Sequence, residues 1–190
     1  KSLIYQALAV NQKNQTIAVV VPTVALAIDQ AEEIEQIDEL KSGKLGIPHA
    51  YIGGKIEDNN KILESIPSGS QGLVFAAPES FNSTLRIPLI EAARKGNLGA
   101  VIIDEAHLVY AWGSDFRTDY QVLASLISEL RSEVPEGNNL KIICLSATIE
   151  NQSLTTLNTL FSPNEPIKIL SAARLRPEQE IWVAPEAKNS

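Results

Sequence analysis

The chain predicts an α/β fold, an open parallel sheet with helices on both faces. Two observations carry this prediction. Short aliphatic runs without polar alternation recur along the sequence, as strands covered on both sides require. Between them lie segments with apolar residues every three or four positions, so strands alternate with helices. A length of 190 residues suits one such domain and is short for two. The 44% hydrophobic and 21% charged residues are ordinary globular proportions, which disfavours a disordered, collagen-like or coiled-coil chain.

The predicted strands are Thr16 to Val21, Gly72 to Ala76, Ala100 to Asp104 and Lys141 to Ser146, with a shorter one at His49 to Ile52 leading into a Gly53-Gly54 turn. After Pro22, the residues Val24, Ile28, Ala31, Ile34, Ile37 and Leu40 form the apolar stripe of a helix that Gly43 would cap. The opposite face carries Asp29, Glu32, Glu33, Glu35, Asp38 and Glu39, a solvated surface that supplies much of the net charge. Further helices are predicted near Glu57 to Ile66 and from Arg86 to Lys95, the second stopped by Gly96. Thr118-Asp119-Tyr120-Gln121 has the S/T-x-x-E/Q form of a capping box, which predicts a helix start there, with Tyr120, Leu123, Ile127, Leu130 and Val134 as its stripe. A last helix is predicted from Ser153 to Phe161. No repeat, low-complexity tract or linker interrupts this order, and residues 177–190, with Pro177 and Pro185, read as an exit segment.

A net charge of −7 offers no long-range attraction for nucleic acid or an anionic membrane, so any phosphate binding must be local. Cys144 is the single cysteine, which excludes an internal disulfide or a multi-cysteine metal site. Among Ile142, Ile143 and Leu145 it reads as a small buried hydrophobe. His49 stands alone. No apolar run reaches the roughly 20 residues of a membrane span, and no signal peptide is recognisable, so the expected compartment is the cytoplasm. The chain starts at Lys1 without a methionine and is expected to be part of something longer.

Ligands of doubly wound sheets bind beyond the carboxyl ends of the strands. There, Ala100-Val101-Ile102-Ile103 delivers two adjacent carboxylates, Asp104 and Glu105, followed by Ala106 and His107. One acid at that place can hold a Mg²⁺-nucleotide, and a second can orient or deprotonate a water. The bland alternative is that both acids cap a following helix. Ser146-Ala147-Thr148 ends the next predicted strand, where its hydroxyls can reach the acid and histidine cluster; alone, such a triplet is more often a turn.

Together, Asp104-Glu105-Ala106-His107 and Ser146-Ala147-Thr148 resemble motifs II and III of superfamily 2 helicases of the DEAH-box type. The stretch from Trp112-Gly113-Ser114-Asp115-Phe116-Arg117 to Tyr120 resembles the aromatic-rich loop of the RecQ family, with Ser114 where members usually carry His and Thr118-Asp119 where they carry Pro-Glu. The chain is thus similar to a diverged RecQ-like protein. The resemblance implies a RecA-like P-loop NTPase domain over residues 1–176, the first of two, that uses ATP and Mg²⁺. Lys1-Ser2-Leu3-Ile4-Tyr5-Gln6 resembles the end of the Walker A motif without its glycine half, which implies Lys1 for the β/γ-phosphates and Ser2 as a Mg²⁺ ligand beside Asp104. Glu105 would then act on the water, and His107, Ser146, Ala147 and Thr148 would couple the site to a second RecA-like domain that supplies an arginine finger.

Pro22 to Gln30 resembles motif Ia and Ala77-Pro78-Glu79 resembles motif Ib, loops that contact the sugar–phosphate backbone in the family, which implies Pro22, Thr23, Pro78 and Glu79 as nucleic-acid contacts. Trp112, Phe116 and Arg117 are implied for the single strand, Tyr120 for the core, and Arg86, Arg94 and Lys95 read as surface charges. The implied activity is ATP-dependent translocation on single-stranded DNA with duplex unwinding, single-stranded or forked DNA being the implied partner and the isolated fragment being inactive. Ser114 and the acidic balance keep a non-unwinding, ATP-switched nucleic-acid-binding or assembly module as the alternative. Nothing matches the G-x-G-x-x-G fingerprint of a dinucleotide enzyme.

Overall fold

The structure, a computed structural model, describes residues 2–12, 14–37, 50–51, 56–111 and 114–171. Gly43, His49, the Gly53-Gly54 turn and the exit segment lie outside the described residues. The strands are β1 (Thr16–Val20), β2 (Ala50–Tyr51), β3 (Leu73–Ala76), β4 (Leu98–Ile103) and β5 (Lys141–Cys144). They form one sheet in the order β2-β3-β1-β4-β5, and every pairing is parallel. β1, β3 and β4 are buried along their whole length, as their unbroken aliphatic sequences require.

The strand pleat sorts these side chains to two cores. Ile17, Val19, Leu73, Phe75, Ala100 and Ile102 face α1 (Ser2–Asn11) and α2 (Val24–Glu35), where they meet Tyr5, Ala27, Ala31 and Ile34. Their neighbours Ala18, Val20, Val74, Ala76, Val101 and Ile103 point the other way. That second layer contains α3 (Ile56–Ser65), the short α4 (Pro78–Asn82), α5 (Arg86–Arg94), the single-turn α6 (Leu108–Ala111), α7 (Ser114–Glu133) and α8 (Asn151–Phe161). Burying each large apolar side chain of this kind contributes about 1.5–3 kcal/mol. Arg86 to Glu129, and Arg94 to Glu133 through two hydrogen bonds, tie α5 to α7 at the surface, so both arginines are spoken for.

Several helix boundaries differ from the sequence expectation. α2 starts as predicted after Pro22, with the Thr23 side chain accepting a hydrogen bond from the Leu26 N–H at 3.3 Å. Its buried face is Ala27, Ala31 and Ile34, whereas Val24, expected on the buried stripe, is 40% exposed. Val24 lies in the first turn, beside the strand-end loop rather than over the sheet. α7 begins at Ser114, so Thr118 lies inside the helix and Thr118-Asp119-Tyr120-Gln121 is not a capping box. A side-chain oxygen caps only where the preceding backbone is non-helical, and here it is already helical. The part of the expected aromatic-rich loop from Ser114 to Tyr120 is likewise helical. The stripe itself holds: Tyr120, Leu123, Ile127 and Leu130 are buried, joined by Leu126.

Gly96 does end α5. Its φ is 71°, its N–H bonds to the Ala93 carbonyl at 2.9 Å, and the Asn97 N–H bonds to the Ala92 carbonyl at 2.8 Å. This is the paired closure of a Schellman motif, which needs a left-handed residue at that point. Among the described residues β5 has no strand on its far side, and its side chains are less covered than those of the other strands: Lys141 is exposed and Ile142 to Cys144 are half-buried. No helix among the described residues is long and apolar enough to cross a membrane.

Two outcomes test this packing. Thr23→Ala lowers the unfolding free energy by about 1 kcal/mol in urea titrations while Thr23→Ser is close to neutral, because the serine hydroxyl caps as well. Burial pushes the Cys144 thiol from an ordinary 9.0 to about 12, with Arg131 pulling slightly the other way. At pH 8 the folded chain therefore holds roughly a thousandfold less thiolate than the unfolded one, and a disulfide reagent labels Cys144 correspondingly faster in urea than in buffer.

Candidate functional site

The strands end in register. Val20 pairs with Ala76 on one side and Ile103 on the other, and Ile103 pairs with Cys144. One residue further on, backbone bonds still join the chain ends: Val21 N–H to Ala76 C=O at 3.0 Å, Asp104 N–H to Val20 C=O at 2.9 Å, and Leu145 N–H to Ile103 C=O at 2.8 Å. The loops after β3, β1, β4 and β5 consequently lie side by side at one edge, in that order. Continued by one residue, the register sets Asp104 opposite Leu145, just before Ser146, and Val21 opposite Ala77, just before the Thr23 loop.

Asp104 is only 7% exposed, and one of its carboxylate oxygens accepts from the Glu105 N–H at 2.8 Å. Glu105 has a φ of 48°, in the left-handed region where a side chain is strained by about 1–2 kcal/mol. The bonds around it enforce that conformation. Ala106 N–H reaches across to Leu145 C=O at 2.9 Å, and Leu108 N–H closes on Glu105 C=O at 2.9 Å. The turn sets the Glu105 carboxylate beside His107, whose Nδ1 lies 3.4 Å from Glu105 Oε2. Backbone strain held in place by surrounding bonds recurs at functional sites.

His107 Nδ1 is also 3.1 Å from Ser146 Oγ. Ser146 Oγ accepts from the Thr148 N–H at 3.3 Å and spends its single proton on the Thr148 carbonyl. With that proton on the Thr148 carbonyl, the hydrogen-bond pattern is satisfied when Nδ1 is the donor to Ser146 and Nε2 the acceptor of the neutral ring. Both His107 and Glu105 side chains are 31% exposed, so the pair is open to a ligand. Ala147 and Thr148 are exposed beside them.

Ser2 starts α1, one turn before Tyr5, and Tyr5 is fully buried against Phe75 with the rings edge-on, centroids 5.4 Å apart. Burial pushes the Tyr5 hydroxyl up to about 12, against a hydrogen bond from Ser2 and with small contributions from Asp104 and Glu33. A serine hydroxyl and a carboxylate are the hard oxygen donors that suit Mg²⁺, which takes one or two protein ligands and completes its shell with phosphate and water. No three His, Cys, Asp or Glu side chains among the described residues gather into a metal cage of their own.

On the other half of the edge, Thr23 and Glu79 are exposed and Pro22 is half-buried, whereas Pro78 is buried as the first residue of α4. Tyr120 is fully buried, and burial holds its hydroxyl well above the ordinary range, with Glu79 and Asp104 adding to the effect. Lys1, Trp112 and the side chains of Phe116 and Arg117 lie outside the described residues. Sequence reasoning did not foresee the hydrogen bond that the Tyr5 hydroxyl donates to Gln30 Oε1. The signal for Tyr5 was present: it stands three residues after Ser2, on the same face of the helix.

A parallel sheet with an acid, a strained glutamate and a histidine–serine pair at its carboxyl edge is a RecA-like domain. Over residues 1–157 the chain matches the DEAD/DEAH box helicase family, and it belongs to that family. RecQ-like DNA helicase blm-1 of Caenorhabditis elegans is 33% identical over 146 residues, 73% of this chain and 14% of its own length. ATP-dependent DNA helicase RecQ of Bacillus subtilis (strain 168) is 31% identical over 136 residues, 70% of this chain and 21% of its own length. Among solved structures, the DUF1998 helicase MrfA bound to DNA superposes with a TM-score of 0.62 at 19% identity, over 83% of this chain and 21% of that one. The last likeness is one of fold. The chain spans a small part of the length of each of these proteins.

The strain at Glu105 can be measured directly. Glu105→Gly is expected to be more stable than Glu105→Ala by about 1 kcal/mol in thermal or urea unfolding, because only glycine relieves the left-handed backbone. At an ordinary helical position the order would reverse.

Proposed function

We propose that this chain is the nucleotide-binding RecA-like domain of an ATP-dependent, RecQ-like DNA helicase that translocates on single-stranded DNA. The observation that carries the reading is the strand-end row itself, in which buried Asp104, strained Glu105, His107 and Ser146 are joined by bonds running from β4 to β5. Similarity to RecQ-like DNA helicases over about 70% of the chain supports DNA as the substrate.

Lys1 would meet the β/γ-phosphates, and Ser2 and Asp104 would hold Mg²⁺, which when bound neutralises phosphate charge. Glu105, with its carboxylate beside His107 and part-exposed, would orient the attacking water and take its proton. His107 transmits the state of Glu105 to Ser146 through Nδ1, and Ser146 holds the Ala147-Thr148 loop by its two bonds to Thr148. A second RecA-like domain closing on that loop would sense nucleotide through this chain of contacts.

On the neighbouring half of the edge, Thr23 accepts from Leu26 N–H and retains its own hydroxyl proton for a phosphate oxygen. Exposed Glu79 opens the next loop, and Trp112, Phe116 and Arg117 supply stacking and charge to an unpaired strand. Contacts of this kind position a backbone without needing net positive charge, which accommodates the −7 balance.

ATPase turnover of the full-length protein, with and without single-stranded DNA, tests the reading. DNA is expected to stimulate turnover, and Glu105→Gln to lower kcat by about a hundredfold or more while nucleotide binding persists. Unchanged turnover in Glu105→Gln would sink the assignment. Stimulated hydrolysis without strand displacement on a forked duplex would favour an ATP-switched binding module over a helicase.

A further inference from the structure

α4 is five residues long, too short to stand on its own hydrogen bonds, so its neighbours must hold it. Pro78 at its start and Phe81 are buried, and Phe81 shares the second core with Tyr120 and Leu123 of α7. Apolar contact of this kind sets distance, but it is non-directional and grips weakly against sliding. A directional tie stands beside it. Asn82 Nδ2 on α4 donates to the Asp119 carbonyl of α7 at 3.0 Å, across 37 positions of sequence. Asp119 lies inside α7, so its carbonyl already serves the helix, and Asn82 takes the second lone pair.

The other end of the same amide is a liability. Asn82 Oδ1 is buried, and among the described residues no hydrogen-bond donor reaches it. Turning the amide over would set that oxygen against the Asp119 carbonyl, so the orientation is fixed. A neutral hydrogen bond gains no more than a buried orphan carbonyl loses, and Asn82 therefore adds nothing net to stability. An apolar side chain of the same size would suit a core contact better. What the amide supplies is direction.

Both partners of this bond stand next to residues that the helicase reading assigns to single-stranded DNA. Glu79 is one turn before Asn82 on α4, and Phe116 and Arg117 come just before Asp119 at the start of α7. We propose that Asn82 is a positioning residue for single-stranded nucleic acid: by fixing α4 against the start of α7, it holds the Pro78-Glu79 loop and the Phe116-Arg117 turn at one spacing, so that both meet the same strand. The proposal rests on the helicase reading above. Asn82 itself touches no ligand. Two contact segments at a fixed spacing bind a strand as one bivalent site, because once the first has engaged, the second faces the strand at high effective concentration. Loosening the spacing lowers that concentration and leaves each contact intact.

Asn82→Leu keeps the size of the side chain and removes the donor and the orphan oxygen together. On the full-length protein, fluorescence anisotropy with a single-stranded oligonucleotide is expected to show DNA affinity weaker by roughly three- to tenfold, the range one hydrogen bond commands, while the urea midpoint does not fall. In ATPase assays the DNA concentration for half-maximal stimulation is expected to rise by the same factor, with the maximal rate retained. Asn82→Ala, which removes the amide without adding methyl groups, is expected to lose DNA affinity to the same extent. In a cycle with Arg117→Ala, the double variant is expected to lose less than the product of the two single losses, since Arg117 contributes less once the spacing is loose.

Wild-type DNA affinity in both Asn82 variants overturns the proposal. So does a loss of affinity that comes with a lower urea midpoint in Asn82→Leu, since that is the mark of a merely structural residue. Losses that simply multiply in the cycle overturn it as well. A wild type that binds no single-stranded DNA, or one in which Arg117→Ala is without effect, overturns the helicase assignment of these contacts, and the proposal with it.

Discussion

The backbone ladder that ends β1, β4 and β5 together is the constraint on which everything else in this domain depends. β4 is held on both sides, by Asp104 N–H on the Val20 carbonyl and by Leu145 N–H on the Ile103 carbonyl, so its last residue has almost no freedom. The carboxylate of Asp104 is thereby placed at a nearly buried point before its side chain makes any contact. One residue on, the Ala106 N–H crosses to Leu145 and forces Glu105 into the left-handed turn. The strain at Glu105 is thus held by hydrogen bonds of the sheet, and the fold and the site share the same bonds.

Burial on both faces is what makes such a ladder stiff. Alternate residues of β1, β3 and β4 supply two separate apolar layers, and a slip by one residue would send every one of them to the wrong layer. The register that aligns Val20, Ala76, Ile103 and Cys144 is therefore fixed by packing on both sides of the sheet. It leaves the adjoining loops free to differ in chemistry, acid and histidine on one half, hydroxyl and helix start on the other. The Tyr5 to Gln30 bond joins α1 to α2 on one face of the sheet.

Much of this was legible in the chain itself. The aliphatic runs located all the strands to within a few residues, because a strand covered on both faces has no polar positions to spare. Gly96 marked a helix end through chemistry that acts within a few residues, and it behaved as such chemistry should. The capping signal at Thr118 misled because it is equally local: whether a threonine caps depends on whether the backbone before it is helical, and Ser114 to Arg117 are helical in α7. Val24 misled for the reverse reason, since periodicity reports which residues share a helix face but not how far along the helix the sheet extends beneath it.

The sequence by itself determined the fold class, the family and the identity of the acids, because these follow from residue types at close spacing, where short-range geometry is common to every chain. Only the tertiary structure decided that Glu105 is left-handed, that His107 Nδ1 lies between Glu105 and Ser146, and that Tyr5 reaches Gln30. Each of those depends on groups from different strands or helices meeting within hydrogen-bond distance. That meeting is set by the parallel order β3-β1-β4-β5 and by the volume of the side chains between sheet and helix, neither of which any short stretch of sequence contains.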